Sequence, residues 1–217
     1  MAPPLKSRAA PKRRPRPPHP TRRRLPIAGG ASRPEPQLLI SLIHEFMEDE
    51  AAHVPILQQK LVDEDNPPSP QIRPVPTLNM ADLIQPDVTS FLRAAAGFEN
   101  TGSGACGGTL FAIQQTDEYF RTAVSLRTVE SRHASSLNAL LGESLVPDFA
   151  PVEAPIDQGV TVSRVFPFVS DPGPSGFPKF DPVNASVPNN FRIIDFLLFL
   201  EHVESAFYRA NVPLFFG

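Results

Sequence analysis

The chain has 217 residues, with 27 prolines against 12 glycines, 41% hydrophobic and 20% charged residues, a length for one ordinary globular domain with part of the chain given over to linkers. No run of eighteen apolar residues is available to cross a bilayer, and a single cysteine, Cys106, excludes a disulfide-stapled scaffold. The formal charge of −3 conceals a split: residues 1–33 hold ten of the 20 Lys and Arg and no acid, which leaves ten bases against 23 acids in the remainder, a balance of −13.

Residues 1–36 contain ten prolines and the clusters Lys12-Arg13-Arg14 and Arg22-Arg23-Arg24. Each proline removes a backbone donor and biases its predecessor toward extended geometry, so the segment reads as a disordered basic tail. It has no apolar core of a secretory signal. Its excess of Arg fits an organelle transit peptide, but it is poor in Ser and lacks an amphipathic helix. Weak, sequence-independent binding to a polyanion is the other chemistry that clustered Arg supports. The compartment stays open.

A helical bundle is expected over 37–217. The first helix, about 37–62, has a seam of Leu39, Leu42, Phe46, Glu50, His53, Leu57 and Leu61, which step by three or four. Glu50 and His53 therefore fall on the apolar face. Pro55 should remove a hydrogen bond and clash with the carbonyl of Ala51, so the helix bends there or the geometry around His53 loosens. The Pro-rich stretch 63–86 is a linker suited to a long crossover. A second helix, about 87–114, runs through Leu92, Ala95, Glu99, Gly102, Cys106, Leu110 and Ile113; five glycines between 97 and 108 weaken it and permit close approach of neighbouring helices. Cys106 is a small packing residue on that seam. A third helix, about 117–141, repeats the first pattern through Tyr119, Ala123, Leu126, Glu130, His133, Leu137 and Leu140 and stops at Gly142. After a linker over 142–189, a fourth, about 190–210 and capped by Asn189 or Asn190, carries Ile194, Leu197, Glu201, Glu204, Ser205 and Tyr208. His19, His44 and His202 lack such placement and read as tail or surface residues.

A lone Glu-x-x-His commonly marks a solvated i,i+3 pair. Here two such pairs lie on apolar seams and two further seams carry Glu at mid-helix. Burying a carboxylate unpaired costs several kcal/mol or more, so the four glutamates call for a shared explanation. Glu and His one turn apart can ligate one metal centre. Two such helices plus one Glu from each of two others supply six ligands for two metals, four carboxylates balancing two divalent cations. Mixed carboxylate and imidazole ligation suits Fe and Mn, with Zn less natural at a six-ligand site.

Particular stretches carry a family likeness. Leu200-Glu201-His202-Val203-Glu204-Ser205-Ala206-Phe207-Tyr208, Glu50-Ala51-Ala52-His53-Val54, Phe98-Glu99-Asn100-Thr101-Gly102 and Val129-Glu130-Ser131-Arg132-His133-Ala134 resemble, respectively, the first, second, third and fourth bundle helices of the ferritin-like domain of desiccation-related and stress-response proteins of plants, fungi and bacteria. The segment from Pro155-Ile156-Asp157 through Phe166-Pro167-Phe168 to Gly176-Phe177-Pro178 is similar to an extended segment of fungal members. The resemblance implies an all-α, ferritin-like four-helix bundle with metal ligands at Glu50, His53, Glu99, Glu130, His133 and Glu201. The fourth seam alone does not choose between Glu201 and Glu204; the resemblance prefers Glu201. Glu50 and Glu130 would then bridge two Fe or Mn ions, with His53, His133, Glu99 and Glu201 as terminal ligands. An oxidase or catalase-like reaction on O2 or peroxide is the activity this implies. The alternative is a non-catalytic stress protein with an empty or vestigial site. The helix that matches the family's first comes last here. A circular permutation explains that order; a fragment of a tandem or misassembled coding sequence, leaving Phe215 and Phe216 exposed, is the rival. From Gly142 to Asn190 the 48 steps reach about 150 Å when extended, against about 30 Å for a twenty-residue helix, so the permuted connection has ample length.

Overall fold

The computed structural model describes residues 36–62, 73–113 and 117–217. The basic Pro-rich tail, with His19 and both Arg clusters, and the prolines 67, 68 and 70 of the first linker lie outside the described residues.

Four long helices make the bundle: α1 (Pro36–Leu61), α3 (Val88–Ile113), α4 (Asp117–Leu140) and α6 (Val187–Phe215). The first crossover carries β1 (Thr77–Leu78) and α2 (Met80–Leu83), and the second carries α5 (Gln158–Val165) and β2 (Val169–Asp171). Side-chain contacts give the directions. Lys60 at the end of α1 pairs with Glu118 at the start of α4, and Tyr119 packs on Phe191 at the start of α6. Phe91, early in α3, meets Phe207, Tyr208, Phe215 and Phe216 late in α6. Thus α1 and α3 run one way and α4 and α6 the other. Two parallel neighbours in sequence need connections that travel the bundle's length, which is why both crossovers are long.

Local chemistry sets the helix ends. Asp87 accepts hydrogen bonds from the Ser90 N–H (2.8 Å) and hydroxyl, which caps α3. α4 closes with Gly142 at φ +75°, the Gly142 N–H on the Ala139 carbonyl and the Glu143 N–H on the Asn138 carbonyl, a Schellman arrangement. α6 starts earlier than the asparagines suggest. Ser186 stands at its N-cap and Pro188 in its first turn, where a missing N–H is harmless. The Asn189 side chain instead bonds the backbone of Asp181 and Asn184, so it fastens the incoming loop. α1 continues helically through Pro55, which lies on the exposed side.

The second crossover wraps α6. Phe177 packs on Phe199 and Phe180 on Phe196, and Arg73 of the first crossover reaches Asp195 at 3.0 Å. α6 is therefore buried on nearly every side and has no solvent face of the amphipathic kind. His202 is consequently buried (8% exposed), in contrast to the surface reading; His44 is half-buried. The two crossovers are stitched by the β1–β2 ladder, and Asn211 of α6 holds the first crossover by bonding Leu83 and Gln85. Two of the α3 glycines receive this connector rather than a helix. A Cβ at Gly108 would lie 2.2 Å from the Ile156 carbonyl oxygen, and one at Gly104 would lie 2.4 Å from the Ile156 side chain. Phe215 and Phe216 pack against Phe91 at 6.0 and 5.6 Å, so the expected exposed terminal rings are not exposed rings but part of the bundle's end. Among the described residues, no helix is long and apolar enough to cross a membrane.

Candidate metal centre

At mid-height, α1 contributes Glu50 and His53, α3 Glu99, α4 Glu130 and His133, and α6 Glu201 and Glu204; all seven are buried. The six side chains singled out in the sequence converge, although they come from four helices. The i,i+3 spacing places Glu50 with His53, and Glu130 with His133, on the inner face of their helices.

Glu50 is the centre of the arrangement. Its Oε2 lies 3.2 Å from His53 Nδ1 and its Oε1 3.1 Å from His133 Nδ1. One carboxylate thus presents one oxygen to each histidine. Around His53 Nδ1 gather Glu201 Oε2 (3.2 Å) and Glu130 Oε1 (3.3 Å) as well. Around His133 Nδ1 stands Glu99 Oε2 at 3.3 Å. One N–H can serve only one acceptor well, so each nitrogen is crowded by more carboxylate oxygens than it can satisfy. Among the described residues, Glu99 Oε2, both oxygens of Glu130 and Glu204 Oε1 have no hydrogen-bond partner, Glu130 Oε1 lying within reach of His53 but out of hydrogen-bond geometry.

The electrostatics express the same crowding. Burial, then repulsion by neighbouring carboxylates, holds Glu99, Glu201 and Glu204 well above the ordinary range, and Glu130 is raised for the same reasons. Burial would lower both histidines, yet the carboxylates of Glu130, Glu201 and Glu50 around His53, and of Glu50, Glu130 and Asp49 around His133, raise them. For Glu50 burial is likewise opposed and outweighed, its hydrogen bonds to His133 and His53 lowering it to about 2. Among themselves these residues can be neutralised only by protons. A pair of divalent cations would neutralise the same oxygens without leaving them orphaned, and the donors form two groups that such ions fit: Glu50, His53, Glu130 and Glu201, and Glu50, Glu99 and His133, with ligand atoms within 4.8 Å of one another in each.

Four further residues support the six, and of these only Asp49 has no place in the sequence analysis. Asp49 accepts from His133 Nε2 at 3.2 Å and so leaves Nδ1 facing inward. The Tyr208 hydroxyl donates to Glu99 Oε1 at 2.5 Å. Gly102 leaves room where a Cβ would lie 2.6 Å from Glu130 Oε2. Glu204 forms a third acidic group with Glu99 and Glu130. Tyr208 and Glu204 were visible on the α6 seam, but only tertiary packing shows what they face. Of the cavities, one of about 300 Å³ between α1 and α4 is bordered by His53, Arg121 and Leu126. A larger one, about 360 Å³, lies outside α3 against α5 and touches none of the seven acidic and histidine side chains.

Comparison with known proteins gives one match. A family model described as a ferritin-like domain matches residues 32–143. No curated protein and no solved structure matches. The matched span carries α1, α3 and α4 with Glu50, His53, Glu99, Glu130 and His133, whereas Glu201, Glu204 and Tyr208 lie beyond it on α6. With more than half of its length matched and a helical bundle to accommodate the match, this chain belongs to the ferritin-like domain family.

Proposed function

We propose that the protein is a di-metal carboxylate protein in which Glu50 and Glu130 bridge two Fe or Mn ions, His53 and Glu201 complete one position, and His133 and Glu99 complete the other. The observation that carries this reading is the placement of Glu50, one oxygen to each histidine nitrogen. When bound, such a pair supplies redox chemistry for O2 or peroxide. The chain's own residues do the rest. Asp49 holds the His133 ring, Tyr208 holds one Glu99 oxygen, and the apolar seams above and below exclude bulk water. The cavity between α1 and α4 brings a small oxidant up to His53 without opening the bundle.

The finer assignment to desiccation-related, stress-response proteins follows from the sequence likeness, and so does the permuted order, in which α6 takes the place of the family's first helix. The position of α6 supports the permuted order, since α6 lies against α1 and α3 and delivers Glu201 to His53.

Anaerobic reconstitution with Fe(II) or Mn(II), followed by metal counting, tests the function. Two equivalents per chain are expected, lost when Glu50→Ala and Glu130→Ala are combined. A stoichiometry near zero, or one unaffected by the double substitution, would refute it.

A further inference from the structure

Glu204 has no role in a six-ligand centre, yet it stands inside it. It follows Glu201 by one turn of α6 and is 2% exposed. One of its oxygens falls in a group with Glu99 and Glu130, and its Oε1 has no hydrogen-bond partner among the described residues. Across from it α3 offers Gly102, where an added Cβ would meet Glu130 Oε2 at 2.6 Å and Glu204 Oε2 at 3.4 Å, so the absence of a side chain there makes the room both carboxylates use. A carboxylate retained solely for packing would be expected to have a donor for each buried oxygen. This one faces other carboxylates.

We infer that Glu204 is a seventh ligand, joining Glu99 and Glu130 on the cation nearer His133, so that the two metal positions are chemically unequal. The inference rests on the di-metal reading and deepens it. The position at His53 then has Glu50, Glu130 and Glu201 for company, while the position at His133 has Glu50, Glu99, Glu130 and Glu204. The latter is the richer in hard oxygen donors and in negative charge. Five carboxylates against two divalent cations leave one negative charge in excess, which strengthens cation binding at the crowded position.

The test is an anaerobic calorimetric titration of the full chain with Mn(II), comparing wild type with Glu204→Gln and Glu204→Asp, alongside metal counting and thermal melting of the metal-free forms. Wild type should take up two equivalents in two steps. In Glu204→Gln one step should weaken by about tenfold or more while the other changes little, and the metal-free variant should melt no lower than wild type, because a buried, unpartnered carboxylate has been removed. Glu204→Asp keeps the charge, withdraws it by one methylene and should fall between the two. Two unchanged steps in both variants would overturn the inference while leaving the six-ligand reading intact. So would a third equivalent in wild type that alone disappears in Glu204→Gln, since Glu204 would then serve a separate site. A lower melting temperature with unaltered metal steps would make Glu204 a packing residue. No metal uptake by wild type would overturn the inference together with the reading beneath it.

Discussion

Glycine in the interior of a helix is ordinarily a weakness, and replacing it by alanine should add about 0.5–1 kcal/mol. Gly97 and Gly102 in α3 turn that rule into a controlled comparison. Among the described residues nothing lies within 4 Å of a Cβ built at Gly97, so Gly97→Ala should stabilise the metal-free protein by that amount and leave metal uptake unchanged. At Gly102 the same methyl would meet Glu130 Oε2 at 2.6 Å, Glu130 Cδ at 3.3 Å and Glu204 Oε2 at 3.4 Å. The first of these distances is too short to survive, and the carboxylate, fully buried, must rotate away. Overpacking of this size costs about 1–3 kcal/mol, which offsets the helix gain and leaves Gly102→Ala between roughly neutral and about 2.5 kcal/mol destabilised. Its effect on metal should be much larger than its effect on folding, about 10–100-fold in affinity, because the displaced group is a bridging ligand of the proposed centre. Denaturant unfolding and metal titration of the two variants side by side read both quantities. If Gly102→Ala bound two equivalents with wild-type affinity, the placement of Glu130 against α3 would be wrong.

Other outcomes follow from the same geometry. Asp49→Ala removes the acceptor at His133 Nε2, and as the Asp49 side chain is 43% exposed, folding should be little affected while metal affinity falls about 10–100-fold; equal affinities would show that the hydrogen bond does not orient the ring. Tyr208→Phe leaves Glu99 Oε1 buried without its donor and should cost about 1–3 kcal/mol in the metal-free protein, read by chemical denaturation; no loss would mean that water or a neighbour replaces the hydroxyl. The pH dependence has a definite sign. Glu99, Glu130, Glu201 and Glu204 are raised above 4.5 and the two histidines above 6.5, so the stability they confer is present at low pH and lost as pH rises through their folded-state values. Glu50, lowered to about 2, works the other way, its contribution being lost only as pH falls toward that value. The metal-free protein should therefore melt lower as pH increases from about 5 to 8, while the stabilisation given by metal grows over the same range because fewer protons compete. Melting curves that run parallel with and without metal would contradict this.

What was legible in the sequence depended on local periodicity. Glu50 with His53 and Glu130 with His133 could be found because a one-turn spacing on an apolar seam is a property of one helix. Glu99 could be placed on the same principle, even on a glycine-weakened helix. The choice of Glu201 over Glu204 could not be made from spacing, as both lie on the inner side of α6 and their different neighbours, His53 for one and Gly102 for the other, belong to distant segments. α6 also hid its own character. The long second crossover covers the side that should have been polar, so His202 is buried and the helix shows no amphipathic contrast. The start of α6 was misplaced for a related reason: Asn189 resembles a cap, but its side chain is spent on the Asp181 loop while Pro188 permits the helix to begin before it. The glycines of α3 signalled close approach, but whether a helix, a connector or a carboxylate would fill the space was a matter of tertiary structure.

The central claim is that two cations sit on either side of the Glu50 carboxylate. Anomalous diffraction from Mn- or Fe-loaded crystals of the full chain measures this directly. Two peaks about 3.5–4 Å apart are expected, one beside His53 and Glu201 and the other beside His133 and Glu99. A single peak, peaks away from Glu50, or none in protein that has been incubated with saturating metal would contradict the claim.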